Sequence, residues 1–152
     1  MGIEITTSGC LPAGTDVEAV LRDGDTIALH AAWDTYNHRQ FLARMLPGYD
    51  ANPDKADLAA HIRAELAKLA EVTDLQALSA NRRLTDLLTG RRWLVMQEAR
   101  ENGVSWAAIG DALGITKQGA IDWYKRKIAD QEKYVPDFHD TARARAVLDG
   151  AE

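Results

Sequence analysis

At 152 residues, 46% of them apolar and 27% charged, the chain is long enough for one ordinary domain or two very small ones, and it can bury a core beneath a charged surface. No stretch approaches the roughly 18 consecutive apolar residues of a membrane span, and the start, Met1 to Thr7, lacks the basic residues and long apolar run of a signal peptide; a cytoplasmic protein with no membrane contact is expected. The lone Cys10 leaves no intrachain disulfide and no cysteine-based metal site.

The net charge of −5 argues, as a bulk number, against nucleic acid. Its distribution argues the other way. Residues 1–81 carry 6 Lys/Arg against 12 Asp/Glu, residues 82–127 carry 9 against 5, and residues 128–152 carry 3 against 6. A basic block between acidic flanks is either one solvated basic face or the footprint of a polyanion.

Apart from Gly2 to Thr7, which alternates like a short strand, the chain reads as helices divided by breakers. A first helix is expected from Asp16 to Arg22, ending at Asp23-Gly24. A second is expected from Asp25 to Met45, with Leu29, Trp33 and Tyr36 on one stripe continued by Phe41, Leu42 and Met45, and stopped by Pro47-Gly48. Gly48 to Asp54 is the best internal linker. Asp54 can cap a third helix to about Glu71, in which Leu58, Ile62, Leu66 and Leu69 form one face. Thr73 or Asp74 can cap the next stretch, which runs to Glu101 with a bend near Thr89-Gly90 and ends at Asn102-Gly103. These two are expected to form an antiparallel hairpin. Val135-Pro136 opens a polar C-terminal segment read as a loose helix or tail.

The densest pattern lies between Ser105 and Lys127. Ser105 is a good N-cap. Trp106, Ile109 and Leu113 give a short helix one buried face. Gly114 supplies the left-handed residue of a sharp exit, Ile115 is read as a buried turn residue, and Thr116 caps the next helix. Gly110 sits where the two helices come closest. Together these specify a helix-turn-helix. In such a unit the N-terminal residues of the second helix point into the major groove of double-stranded DNA. Lys117 can reach a phosphate or a guanine edge, Gln118 can bond adenine bidentately, and the small Gly119 allows close approach. Ala120 and Tyr124 are placed inward with Ile128, and Ile121 partly exposed near the groove. Asp122 can accept from cytosine N4. Lys125, Arg126 and Lys127 can contact phosphates.

The run Ser-Trp-Ala-Ala-Ile-Gly-Asp-Ala-Leu-Gly-Ile-Thr-Lys-Gln-Gly-Ala, residues 105–120, resembles the helix-turn-helix of small DNA-binding regulators common in high-GC bacteria and their phages, a pattern similar to homeodomain-like and sigma region-4-like units. In that family it follows an Arg/Glu-rich helix ending in Gly, here Arg91 to Gly103. The likeness covers about 35 residues strongly and the hairpin from Asp54 more loosely; residues 1–53 carry no likeness that names a family. Asp122 and Trp123 depart from the family, which often has a basic or polar residue there. The resemblance implies an all-α fold, a helical bundle with a C-terminal helix-turn-helix, and no cofactor.

The organisation expected is a helical N-terminal segment of unassigned role (1–53), a DNA-binding domain of hairpin plus helix-turn-helix (54–133) and a tail (134–152). The candidate DNA-binding residues are Ser105, Trp106, Thr116, Lys117, Gln118, Gly119, Ile121, Asp122, Lys125 and Arg126, with Arg91 and Arg92 as flanking phosphate contacts. Arg82-Arg83 read equally as a solvated face or as further phosphate contacts. His30, His38, His61 and His139 are scattered and lack a third ligand. Asp23 and Asp25 lack the rest of a calcium loop. No catalytic constellation stands out, so no enzyme is expected. Transcriptional regulation, repressor-like and by a homodimer, is the leading expectation, placing the protein at the nucleoid. The competing readings are an adaptor or antitoxin-like protein whose acidic N-terminal half binds a protein partner, and a nucleoid or recombination accessory factor.

Overall fold

A computed structural model describes residues 2–150. Among these, no strand forms, and one isolated antiparallel bridge joins Pro12 to Leu69. The helices are α1 (Val17–Asp23), α2 (Thr26–Asp50), α3 (Ala56–Ala67), α4 (Asp74–Gly90), α5 (Arg92–Glu101), α6 (Trp106–Leu113), α7 (Lys117–Tyr134) and α8 (Thr141–Ala146), with a 3-10 turn at Pro53–Lys55. The all-helical class expected from the periodicities is the class observed. None of the described helices is long and apolar enough to cross a membrane.

Contacts divide the chain into two compact units, Met1–Leu87 and Leu88–Glu152. The break falls late in α4, whereas the sequence placed its breaks after residues 53 and 133.

The first unit is built on α2. Leu29, Ala31 and Ala32 of α2 pack with Leu11, Val17, Val20, Val72, Ala77 and Ala80, all buried. The buried alanines of this cluster lie on α2 (Ala28, Ala31, Ala32), on α4 (Ala77, Ala80) and, at Ala70, in the loop between α3 and α4. Thr35 is fully buried and uses its hydroxyl twice, donating to the Ala31 carbonyl at 2.6 Å and accepting from the Leu11 amide at 2.8 Å. That bond, with Ala70 N–H to the Leu11 carbonyl at 2.9 Å, ties residues 9–15 to the helices as a loop. Gly2 to Thr7 therefore adds no strand: no second extended segment runs beside it.

Pro47 does not end α2, as the sequence reading expected; the helix continues to Asp50. A proline inside a helix loses one hydrogen bond and costs about 3 kcal/mol. Pro47 is exposed, so the freed carbonyl one turn earlier faces solvent. On the opposite side Leu42, Met45, Leu46 and Tyr49 pack with Ile62, Leu66 and Leu69, and that apolar contact holds the last turns. Of the face read for α3, Leu58 is exposed, Leu66 partly buried and Ile62 buried; Leu69 is buried but lies beyond Ala67, the last residue of α3, and α3 packs on α2 instead of forming the expected hairpin with the next helix. The start of α4 is a reciprocal cap: Thr73 Oγ1 accepts from the Gln76 amide and Gln76 Oε1 accepts from the Thr73 amide.

The second unit packs Trp93 and Met96 of α5, Trp106 and Ile109 of α6, and Ala120, Ile121, Tyr124 and Ile128 of α7 into one core. The segment read as a tail belongs to that core. Ala144 of α8 is fully buried, and its carbonyl accepts the Tyr124 hydroxyl at 2.6 Å. Arg143 meets Glu101 through Nε at 2.8 Å and Nη2 at 2.6 Å, and Arg145 makes a similar two-point pair with Glu132. The edge of Trp93 meets the His139 ring at a centroid distance of 5.0 Å. The polar composition of 134–150 hid this docking, because its apolar share is only the buried Ala144 with the partly buried Val147 and Leu148, and the rest is a carbonyl, two ion pairs and one ring contact.

Candidate nucleic-acid interface

Three helices of the second unit frame the site. α5 ends at Glu101 with Asn102 as its C-cap, and Gly103 follows with φ of 86°. Ser105 caps α6, accepting from the Ala108 amide at 3.1 Å. α6 has eight residues and exits through Gly114, at φ 67° and ψ 29°. Thr116 caps α7, accepting from the Gly119 amide at 2.9 Å. Only Ile115 and the cap separate the Gly114 turn from α7.

Gly110 shows how tightly this turn is folded. A Cβ there would stand 2.8 Å from the Ile115 carbonyl oxygen and 3.0 Å from the Thr116 carbonyl carbon and oxygen. All three are backbone atoms, which cannot swing aside. A Cβ on Gly119 would meet Thr116 Oγ1 at 3.1 Å, so its small size serves the cap as well as the outer surface.

α7 is sharply two-sided. Ala120, Ile121, Tyr124 and Ile128 are buried. Lys117, Gln118, Asp122, Lys125 and Arg126 are exposed. On the exposed side Gln118 Nε2 donates to Asp122 Oδ1 at 2.9 Å.

Several expected contacts change at this point. Trp106 is only 2% exposed and packs edge-on to Tyr124 with ring centroids 5.3 Å apart; it is core and cannot touch a ligand. Ile121, read as partly exposed, is 4% exposed; the α7 register turns it inward beside Tyr124. Ile115, read as buried, is 39% exposed, because Gly110 alone closes the turn and leaves no room beneath it. The hydroxyls of Ser105 and Thr116 are engaged in caps, so both position the helices.

The remaining candidates fall into two groups. Lys117, Gln118, Asp122, Lys125 and Arg126 share the exposed surface of α7. Arg91 is the exposed residue at the α4–α5 break, and Arg92 opens α5. Arg92 reaches Trp123, its Cζ 5.2 Å from the ring centroid, and Lys127 Nζ lies 5.6 Å from the same centroid. The spacing of Trp123 and Lys127, four residues apart on a helix, was readable as a pair. The approach of Arg92 was not, since it depends on how α5 packs.

The carboxyl of Glu101 is held below the usual carboxylate range by its bonds to Arg143 and then Gln97. Glu132 is lowered by Arg145 in the same way. The Tyr124 phenol is pushed up to about 12, chiefly by burial and secondly by Glu101. All three serve the seating of α8. Among the described residues no group of three or more His, Cys, Asp or Glu side chains is arranged to hold a metal ion.

No protein-family model, curated protein or solved structure matches the chain.

Proposed function

We propose that α6, the Gly114 turn and α7 form a helix-turn-helix that binds double-stranded DNA, and that the protein regulates transcription as a repressor-like homodimer. One observation carries this reading: the first turns of α7 present Lys117, Gln118 and Asp122 to solvent while its inner face is sealed into the core. A helix held that way can enter the major groove by its N-terminal half. Lys125 and Arg126 continue the outer surface with positive charge for phosphates. Seven of the nine basic residues of 82–127 lie in this unit, from Arg91 to Lys127; with its docked C-terminal segment the unit as a whole carries 10 Lys/Arg against 10 Asp/Glu, so the positive charge is local to α7 and the start of α5. A single reading helix makes few base contacts, and pairing over two half-sites is the usual remedy.

Asp122 and Gln118 work together in this reading. Gln118 has two amide hydrogens and one carbonyl oxygen. With one hydrogen on Asp122, the other can go to adenine N7 while Oε1 accepts from adenine N6. Asp122 thus fixes which way the amide points.

A second reading rests on the first unit. Leu75 and Leu78 of α4 are 76% and 61% exposed and line a groove with Leu21, Arg22, Arg82 and Arg83. Exposed apolar side chains beside charge suit a protein partner, as an adaptor would need.

The test is fluorescence anisotropy of labelled random duplex against salt, followed by selection of preferred sequences from a random pool. Binding that weakens steeply with salt, together with an enriched sequence, supports the regulator. No DNA affinity at low salt overturns it and leaves the adaptor.

A further inference from the structure

We propose that Trp123 is a positioning residue that holds Arg92 and Lys127 as a two-pronged phosphodiester clamp along one edge of α7. The proposal rests on the DNA-binding reading and assigns a role to one of the two residues that depart from the pattern the run resembles.

At 100° per residue, Gln118, Asp122, Lys125 and Arg126 centre on the outward face of α7. Trp123 lies about 115° round the helix from that centre, at the border with the buried face, and Lys127 about 155° round, on the flank that receives Arg92 from the first turn of α5. The Trp123 ring is half-buried against the core and therefore fixed. Two cations rest on that one ring, at 5.2 Å and 5.6 Å from its centroid. Aromatic faces attract cations, and Trp does so best.

The arrangement has an electrostatic cost. Both charges sit within about 11 Å of each other, close to the Debye length of about 10 Å at 0.1 M salt, so their repulsion is only partly screened. Arg126 lines the same surface groove and adds a third positive charge. One carboxylate, Asp130, also lines it, two turns beyond Trp123 but only one turn beyond Arg126 and Lys127. The end near Arg92 and Trp123 is therefore the positive one. Phosphates of the nucleic-acid backbone placed there relieve the repulsion, and each side chain offers them its own donors. The ring limits the rotamers of two long side chains before any ligand arrives, which lowers the entropy lost on binding.

The test uses the full chain and a fluorescein-labelled random-sequence duplex, read as affinity and as the slope of log affinity against log salt. Trp123→Leu is expected to weaken binding about fivefold at 0.1 M salt and to flatten the slope by about one to two. Trp123→Phe keeps a ring and is expected to restore most of both. In an Arg92→Ala, Lys127→Ala background, Trp123→Leu should change neither further. A residue that only packs would leave the slope unchanged, and that result overturns the clamp. Should Trp123→Leu fail to fold, Arg92→Ala and Lys127→Ala carry the test: each should flatten the slope by about one, and unchanged slopes overturn the proposal. Wild-type protein that binds while these variants match it sinks the clamp alone. Wild-type protein that does not bind at low salt sinks the clamp and the DNA-binding reading together.

Discussion

The side-chain amide of Gln118 donates to the carboxylate of Asp122 across 2.9 Å, one turn along the exposed surface of α7. Both residues belong to the helix start, where a ligand would be read. The bond orients the amide and leaves its carbonyl oxygen and one N–H turned to other partners. Asp122→Ala is expected to lower discrimination at one base position, by about 1 kcal/mol or fivefold, and to raise affinity for random duplex by removing a negative charge. Gln118→Ala should cost the same discrimination without the gain. Competition binding between a selected sequence and single-base variants measures both. Equal discrimination by all three proteins would remove Gln118 from the reading role.

The turn between α6 and α7 depends on Gly110. Gly110→Ala puts a Cβ within 3.0 Å of three backbone atoms of Ile115 and Thr116. Opening the turn to admit it should cost about 1–3 kcal/mol. Trp93, Trp106 and Trp123 report on this unit by fluorescence during urea unfolding. An unchanged midpoint would mean that the two helices have room to separate.

Alkaline pH acts through Tyr124. Its phenol keeps its proton to about pH 12 in the folded chain, against about 10 when unfolded. Below pH 10 both states are protonated and stability is level. Between pH 10 and 12 only the unfolded state ionises, so stability falls by on the order of 2–3 kcal/mol. Tyr124→Phe should remove most of that slope, leaving the share of Tyr36, whose phenol is also raised by its hydrogen bond to Asp74, and cost about 1–3 kcal/mol at neutral pH, because the Ala144 carbonyl is left unpaired. Denaturation series at pH 8 to 11 decide the matter; a Phe variant that keeps the wild-type slope would sink it.

Acid acts on the other side of α8. Glu101 and Glu132 are held below their ordinary pKa by Arg143 and Arg145. Their contribution is whole above the unfolded carboxylate value and fades as pH drops through the lowered one. Both pairs are exposed, so the effect is local. Amide hydrogen exchange in residues 141–146, corrected for the intrinsic rate, should accelerate below about pH 4.5 before exchange in α7 does. Simultaneous acceleration of both helices would contradict this.

The elements were largely legible because they are punctuated. Asp16, Asp25, Ser105 and Thr116 each cap the helix they precede, and Gly114 takes the left-handed conformation its position called for. The missing strand, the helix running through Pro47 and the docked C-terminal segment were not legible, since each is decided by residues distant in sequence: Thr35 on the Leu11 amide, Ile62 and Leu69 against Leu42, and Tyr124 on the Ala144 carbonyl. Within the candidate site, the exposure of Lys117, Gln118, Asp122, Lys125 and Arg126 followed from periodicity. The burial of Ile121 did not, because the inward arc of α7 is wider than one stripe and admits it beside Tyr124. Trp123 could not be placed from one helix alone, because its neighbour Arg92 comes from another.

The carbonyl that receives the Tyr124 hydroxyl is main chain, and the residue that bears it is alanine. Any residue small enough to fit leaves the same oxygen in the same place. Mutational drift through 141–146 is therefore constrained by the path of the chain more than by its letters, outside the two arginines. A shortened protein ending at residue 133 would expose Tyr124 and Ile128 to water and lose the floor on which α7 stands.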